Sequence, residues 1–179
     1  MYFFLILLLA LTFFFFYERY SFSNYTENAR GSGDMNIPVN IDAPVLAKNK
    51  IEINAPVDSV WKKLTDITNW SKWQKAVTET VVKGAIQEGT QFDWKAGGLS
   101  FQSQIHTAKH HAAFGWTGTT IGASAIHNWR FQQKDSTTTV VIVEESLQGV
   151  FPNLFRKYFQ DKLDKGVLNS LLELKSAVE

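Results

Sequence analysis

The first hydrophobic feature of the chain is a continuous block. Residues 1–17, MYFFLILLLALTFFFFY, carry no charge, and Thr12 is the one mildly polar side chain among them. Wound as a helix at about 1.5 Å per residue, the block would reach about 25 Å. That falls slightly short of the roughly 30 Å hydrocarbon core of a bilayer, and aromatic side chains at its ends suit the interface. A removed signal peptide would show a basic start and a small-x-small cleavage site. Nothing basic precedes this block, and Tyr17-Glu18-Arg19-Tyr20 follows it. A run apolar on every face also does not describe an amphipathic core helix. The expectation is a single-pass transmembrane anchor over residues 1–17. Arg19 and Arg30 on its C-terminal side favour a cytoplasmic body.

Periodicity is lost over residues 18–47, where Ser, Asn, Gly and Pro dominate, and a linker is expected there. The Asn24-Tyr25-Thr26 sequon would matter only in a glycosylating compartment. From Lys48 the pattern turns regular. Lys50 to Asn54 alternates as a strand, and Ala55-Pro56 stops it. Val57, Val60, Trp61 and Leu64 then recur at helical spacing, with Asp58 placed to complement the helix dipole. A second short turn carries Trp70 and Trp73. Alternating runs follow at 77–82, 90–95, 99–107, 112–119, 124–133 and 138–147, separated by Gly84, Gly89, Gly97-Gly98, Lys109-His110 and Lys134-Asp135-Ser136. A long helix opening near Pro152 closes the chain. Its stripe is Phe155, Phe159, Leu163, Val167, Leu171, Leu174 and Val178. Gly166 interrupts that helix, either on a solvated face or at a tight crossing over the sheet, and the crossing is the expectation. The order is one strand, two short helices, about six strands and a long helix, an α+β domain over residues 48–179.

Length supports one domain plus an anchor. A net charge of +1 gives no reason to expect nucleic acid as a partner. With no cysteine in the chain, disulfides, thiolate chemistry and zinc–thiolate sites are excluded. Six Trp and fourteen Phe must fill or line a core wherever they lie outside the N-terminal block.

The stretch Ile51-Glu52-Ile53-Asn54-Ala55-Pro56-Val57-Asp58-Ser59-Val60-Trp61, with Leu64, Asp66, Trp70 and Trp73, resembles the opening of the polyketide cyclase/dehydrase family. That family belongs to the START-like (SRPBCC, birch-pollen-allergen-like) superfamily. Glu145-x-x-x-Gly149 and the amphipathic closing helix fit it as well. The resemblance implies a helix-grip fold: a curved antiparallel sheet of about seven strands around a long C-terminal helix, with two short helices after the first strand. It also implies a cavity between sheet and helix for an apolar or aromatic molecule. Fold alone does not deliver function.

Alternation suggests which side chains line that cavity. His127, Trp129 and Phe131 share one face of their strand; Val141, Val143, Glu145 and Leu147 share a face of the next. A three-residue turn centred on Ser136 would set His127 opposite Glu145 and Trp129 opposite Val143, with the apolar face inward. A turn of two residues would slip the register and break the pair. Adjacent imidazole and carboxylate could form an acid/base relay or a hydrogen-bond anchor, or simply a satisfied polar pair at the sheet rim. Phe92, Trp94, Phe101, Ser103, Ile105, Phe114 and Trp116 are the remaining sheet candidates. Phe155, Phe159 and Leu163 would supply the opposite wall from the closing helix.

Other chemistry lacks a pattern. His106, His110, His111 and His127 show no metal-ligand spacing on a helix, no phosphate-binding glycine loop follows a strand, and no serine sits in a nucleophile elbow. No metal or cofactor is expected. The leading reading is a membrane-tethered binding or carrier domain for an apolar small molecule or lipid. The alternatives are a cyclase/dehydratase-like enzyme using His127 and Glu145, and a protein-interaction module.

Overall fold

The computed structural model describes residues 2–30 and 33–179, without the side chains of residues 2–5 and Leu7. Helix α1 (Tyr2–Asn28) precedes β1 (Val45–Ile53), α2 (Val57–Thr65) and a 3-10 turn (Ile67–Lys72). Then come β2 (Val77–Val82), β3 (Gln91–Ala96), β4 (Leu99–Lys109), β5 (Ala113–Thr120), β6 (Ala123–Gln133), β7 (Thr139–Gln148), α3 (Val150–Leu154) and α4 (Arg156–Val178). The seven strands form one sheet in the order β1-β7-β6-β5-β4-β3-β2. Each pairing is antiparallel. Successive strands therefore need only short turns, and one long connection through α2 and the 3-10 turn separates β1 from β2. This is the helix-grip architecture expected from the sequence.

The two faces of the sheet do different work. The inner face carries Phe92, Ile105, Phe114, Trp116, Trp129, Phe131, Val141 and Val143, all buried in one apolar cluster with Trp61, Leu64, Trp70 and the α4 residues Val167, Leu171 and Leu174. Pro56 stands just before α2, and the α2 stripe Val57, Val60, Trp61 and Leu64 is buried as its spacing requires. Trp70 is 1% exposed and donates its indole N–H to Leu64 O at 2.7 Å, which fastens the 3-10 turn to α2.

The outer face is also covered, and here the structure departs from the linker expected over 18–47. Helix α1 runs on to Asn28, because Phe22 and Tyr25 pack against Ile37 and Ile126 on the sheet's outer side. A strap over residues 33–44 then crosses the same face with Met35, Ile37 and Ala43 buried. Its polar groups are bound as well. Asn36 N–H donates to Thr107 Oγ1 at 2.9 Å, and Asn40 N–H donates to Ser146 Oγ at 3.0 Å. Asn128, itself 2% exposed, donates to Ile37 O at 3.0 Å. Sparse apolar residues at neither strand nor helix period give no sequence signal, yet each finds a partner on the sheet.

A bulge in β4 between Ile105 and Thr107 inserts His106 into the strand. His106 is 6% exposed beneath the strap, with Nδ1 at 2.8 Å from Thr107 Oγ1. Burial, reinforced by the Arg30 charge, pushes its pKa down to about 4. Gly115 makes room for it. A Cβ there would lie 2.6 Å from Asn128 Oδ1 and 2.7 Å from both His106 Cε1 and Met35 Cε.

The closing helix departs from expectation in two respects. It breaks at Phe155, whose φ of −123° and ψ of 43° are not helical, so a short α3 and a long α4 replace one element. Gly166 occupies no tight crossing: it is exposed, and a Cβ there would meet nothing within 4 Å. Only Val167, Leu171 and Leu174 of α4 are buried, so the helix is seated firmly by its C-terminal half.

Among the described residues, no helix is long and apolar enough to cross a membrane. Met1 and the undescribed side chains of residues 2–5 and Leu7 belong to the segment expected as the anchor, and that part of the expectation lies outside the described residues.

Two glycine substitutions should act with opposite signs in urea unfolding followed by tryptophan fluorescence. Gly115→Ala overpacks the strap-to-sheet contact and should lose about 1–3 kcal/mol. Gly166→Ala removes a flexible residue from an open helix position and should gain roughly 0.5–1 kcal/mol. The buried His106 gives a pH dependence whose sign follows from its lowered pKa. Below pH of about 6.5 the unfolded chain takes up a proton that the fold refuses, so stability should fall between that pH and about 4, by up to about 3 kcal/mol. His106→Gln should flatten that part of the stability–pH curve.

Candidate ligand-binding site

The β6–β7 ladder ends at Gln133↔Thr139, and Lys134 N–H donates to Thr138 O at 2.9 Å across a turn centred on Ser136. In that register His127 faces Glu145, Trp129 faces Val143 and Phe131 faces Val141. All six share the inner face. The alternative register, which would have separated the imidazole from the carboxylate, does not occur.

His127 Nδ1 lies 2.9 Å from Glu145 Oε2, with both side chains mostly buried at 13% and 15% exposure. The imidazole stacks on Trp116 at 4.4 Å and 18°, and runs parallel to Trp129 at 5.5 Å and 3°. Directing the Nδ1 proton at the carboxylate leaves Nε2 as an acceptor. That Nε2 is buried without a hydrogen-bond partner, and so is the Trp129 indole N–H. One aromatic wall thus buries an unpartnered acceptor and an unpartnered donor on neighbouring same-face positions of one strand; Trp73 Nε1, His106 Nε2 and Asn128 Oδ1 are likewise buried without a partner. Buried polar groups are seldom left unpaired, so each calls for a partner.

The adjacent carboxylate shows what the opposite parity does. Glu144 points to the outer face, where burial pushes its pKa up but Lys48 and Arg130 hold it below the usual range. Lys48 Nζ is 2.5 Å from Glu144 Oε1, and Arg130 also binds this carboxylate. Glu144 is a neutralised structural anion, whereas Glu145 meets an imidazole inside an aromatic surface.

The other expected residues sort themselves by depth. Phe92, Ile105, Phe114, Trp116 and Val143 are fully buried and fill the core. Ser103 is buried and accepts the Trp94 indole N–H at 3.0 Å, and Trp94 stacks on Phe101 at 4.5 Å. Trp94 and Phe101 are half-buried. Leu163 packs against the edge of the core and Phe159 is half-buried. Phe155 departs from expectation: it sits at the α3–α4 break and is 57% exposed, so it forms no closed wall. Trp70 was not among the sheet candidates. It packs edge-on to Phe92 and Trp94 and tilted against Trp116, at 5.3–5.9 Å, and its place in the Asp66-x-x-x-Trp70-x-x-Trp73 motif was the available signal.

Exposure along the inner face rises in one direction. Phe131, Trp129, Val141 and Val143 are buried, whereas His127, Ala125, Glu145 and Leu147 are half-buried. The second group lies toward the end where α3 and α4 begin and where the first turns of α4 are not buried. The grip is closed at its far end and looser at this one. Open clefts of about 450 Å³ and about 460 Å³ lie elsewhere, on the outer face beside the strap.

Among the described residues, one group has donor atoms of the kind that bind metal close together: those of Asp58, His110 and His111 lie within 4.8 Å of one another. Asp58 is already engaged by Lys62 at 2.7 Å and by His111 at 3.1 Å. The hydrogen bond from Lys62 is the main cause of its lowered pKa. The cluster ties the β4–β5 turn to the first turn of α2, and a cation would have to displace the Lys62 ammonium.

A family model described as "Polyketide cyclase / dehydrase and lipid transport" matches residues 45–178. No curated protein matches the sequence. Among solved structures, a hypothetical protein from Helicobacter pylori is similar with a TM-score of 0.73 at 15% identity, over 83% of this chain and 98% of that one. The Zhui aromatase/cyclase from Streptomyces sp. R1128 has a TM-score of 0.67 at 12% identity, over 74% and 92%. A START superfamily protein from Mycobacterium smegmatis has a TM-score of 0.63 at 10% identity, over 74% and 96%. At such identities these likenesses describe the fold, while the sequence match covers almost the whole grip. The chain belongs to the polyketide cyclase/dehydrase and lipid transport family.

Proposed function

We propose that this protein is a binding or carrier domain for an apolar small molecule or lipid, held at a membrane through residues 1–17. The observation that carries this reading is the inner wall of β6. There the stacked Trp116, His127 and Trp129 rings enclose a buried acceptor, His127 Nε2, and a buried donor, the Trp129 N–H, neither with a protein partner, and a ligand would reach them as the looser end of the grip opens. A mostly apolar pocket with a few placed polar groups is the usual form of a small-molecule site. The occupant best suited to it is an extended or ring-shaped apolar molecule with one hydroxyl or carbonyl group. That group would reach His127 Nε2 or the Trp129 N–H, and the apolar part would lie along the inner face toward Trp94 and Phe101. Tethering suits such a ligand, because molecules of this kind partition into bilayers. Arg19 and Arg30, on the C-terminal side of that segment, favour a cytoplasmic body.

The pairing of His127 with Glu145 favours a second reading, a cyclase/dehydratase-like activity. A carboxylate-oriented imidazole with a free Nε2 is placed to take a proton from a bound carbonyl compound and return it elsewhere. In that reaction Glu145 would orient the imidazole and stabilise the charge that develops on it.

Native mass spectrometry of the full chain, purified in detergent from its own host, tests both. The expected result is a stoichiometric apolar molecule, released on denaturation. Its affinity should drop about tenfold in His127→Ala, the loss of a hydrogen bond inside an apolar site. Conversion of the recovered molecule by the wild type, but not by His127→Ala or Glu145→Gln, would move the protein to the enzyme reading. A chain that stays empty after a screen of lipids and aromatic metabolites would sink both and leave the protein-interaction module.

A further inference from the structure

Exposed apolar side chains gather at one end of the domain, and it is the end where the grip is loose. Ile121, at the β5–β6 turn, is 71% exposed; Leu154 and Phe155, at the α3–α4 break, are each 57% exposed. Leu99, Phe151 and Tyr158 are exposed beside them. Register and contacts join these residues into one rim. Phe151 N–H donates to Gly122 O at 3.2 Å, and β4 begins opposite the end of β5, where Gln102 pairs with Thr119. Half-buried Ala125, His127, Glu145 and Leu147 lie just inside it.

Helix α1 leaves the domain past the same rim. Its C-terminal part lies on the outer face at Ile126. Moving toward its N-terminus, Phe15, Glu18 and Arg19 border Gly122, Gly149 and Val150, and Glu18 accepts a hydrogen bond from Asn153 at 3.2 Å. The apolar remainder, with Leu9, Phe13 and Phe16 exposed, therefore projects beyond the rim. Isolated exposed apolar side chains are ordinary, but contiguous patches mark interaction surfaces. The surrounding charge has a basic excess: Arg19, Arg156 and Lys162 stand without an ion pair among the described residues, while Lys157 is paired with Asp161 at 3.2 Å and Glu18 adjoins Arg19. Arg19 stands over the Phe15 ring, Lys162 over the Tyr158 ring, and Arg156 and Lys157 follow Phe155 directly.

We propose that this rim is a docking surface for an anionic bilayer, so that the open end of the grip faces the membrane directly. The proposal rests on the tethered-carrier reading and adds to it a fixed orientation: Ile121, Leu154 and Phe155 enter the headgroup region, and Arg19, Arg156 and Lys162 meet lipid phosphates. A ligand then passes between bilayer and inner wall without crossing water. Two features favour a bilayer over a protein partner. The apolar part of α1 continues the rim outward on the same side, and cations flank apolar tips as they do on interfacial segments.

The absence of cysteine makes single-site labelling direct. Ile121→Cys, Leu154→Cys and, as control, Asp135→Cys each receive an environment-sensitive fluorophore. Asp135 lies in the β6–β7 turn at the other end of β6, about 35 Å from Ile121 by strand rise. The full-length chain is mixed with phosphatidylcholine vesicles containing phosphatidylglycerol and recovered by flotation. The expected result is a blue shift and quenching by lipid-borne nitroxide at positions 121 and 154, none at 135, and a weaker shift without phosphatidylglycerol or at high salt. Chains that float while both rim labels stay unshifted would overturn the docking and leave the tether standing. Failure to float would overturn both. A blue shift without vesicles that grows with protein concentration would assign the rim to a second copy of the chain.

Discussion

The register of the β6–β7 hairpin is the constraint on which the rest depends. Side chains alternate between faces with a period of two, so a single-residue slip would exchange every inner residue of a strand for an outer one. In the observed register Trp129, Phe131, Val141 and Val143 reach the core, while Ile126, Asn128, Glu144 and Ser146 receive the strap and α1. A slip of one strand against the other would set an apolar position against a polar one along the whole ladder and separate His127 from Glu145. The same alternation makes neighbouring glutamates into different objects. Glu144 is an anion held by two cations, and Glu145 is the sole carboxylate partner of a stacked imidazole.

Much of this was legible in the chain because local and long-range forces agree there. The stripe Val57, Val60, Trp61 and Leu64 gave α2 its observed limits, and Val77–Val82 is a strand as its composition implied. The hairpin register was one of two that the sequence left open, and the three-residue turn centred on Ser136 is the one that occurs, with His127 opposite Glu145. These are positions where a two-residue or four-residue rhythm is uninterrupted, so burial leaves one solution.

The unread parts are those where a tertiary contact decides alone. Phe22, Tyr25, Met35 and Ile37 are too widely and irregularly spaced to announce a face, yet the outer side of β6 accepts them. The bulge at His106 answers to the strap above it and to the space at Gly115, which no pattern in β4 encodes. At Phe155 the helix breaks without proline or glycine, so the stripe ran straight through it on paper. Gly166 invited a packing explanation, and its surroundings are empty. Of the candidate site, the adjacency of His127 and Glu145 and the inward facing of most of the aromatic positions were legible; the asymmetry between closed and loose ends of the grip was not, because half-burial has no period.

The division within α4 has a consequence for how such a protein can change. Val167, Leu171 and Leu174 carry the attachment of the helix to the core, while Phe155, Phe159 and Leu163 bear little of it. Substitutions in the first turns therefore reshape the looser end of the grip without endangering the fold, and substitutions further along do the reverse. One helix separates inheritance of architecture from local variation. A lineage built on this plan can drift at one end of a single element with its foundation left intact.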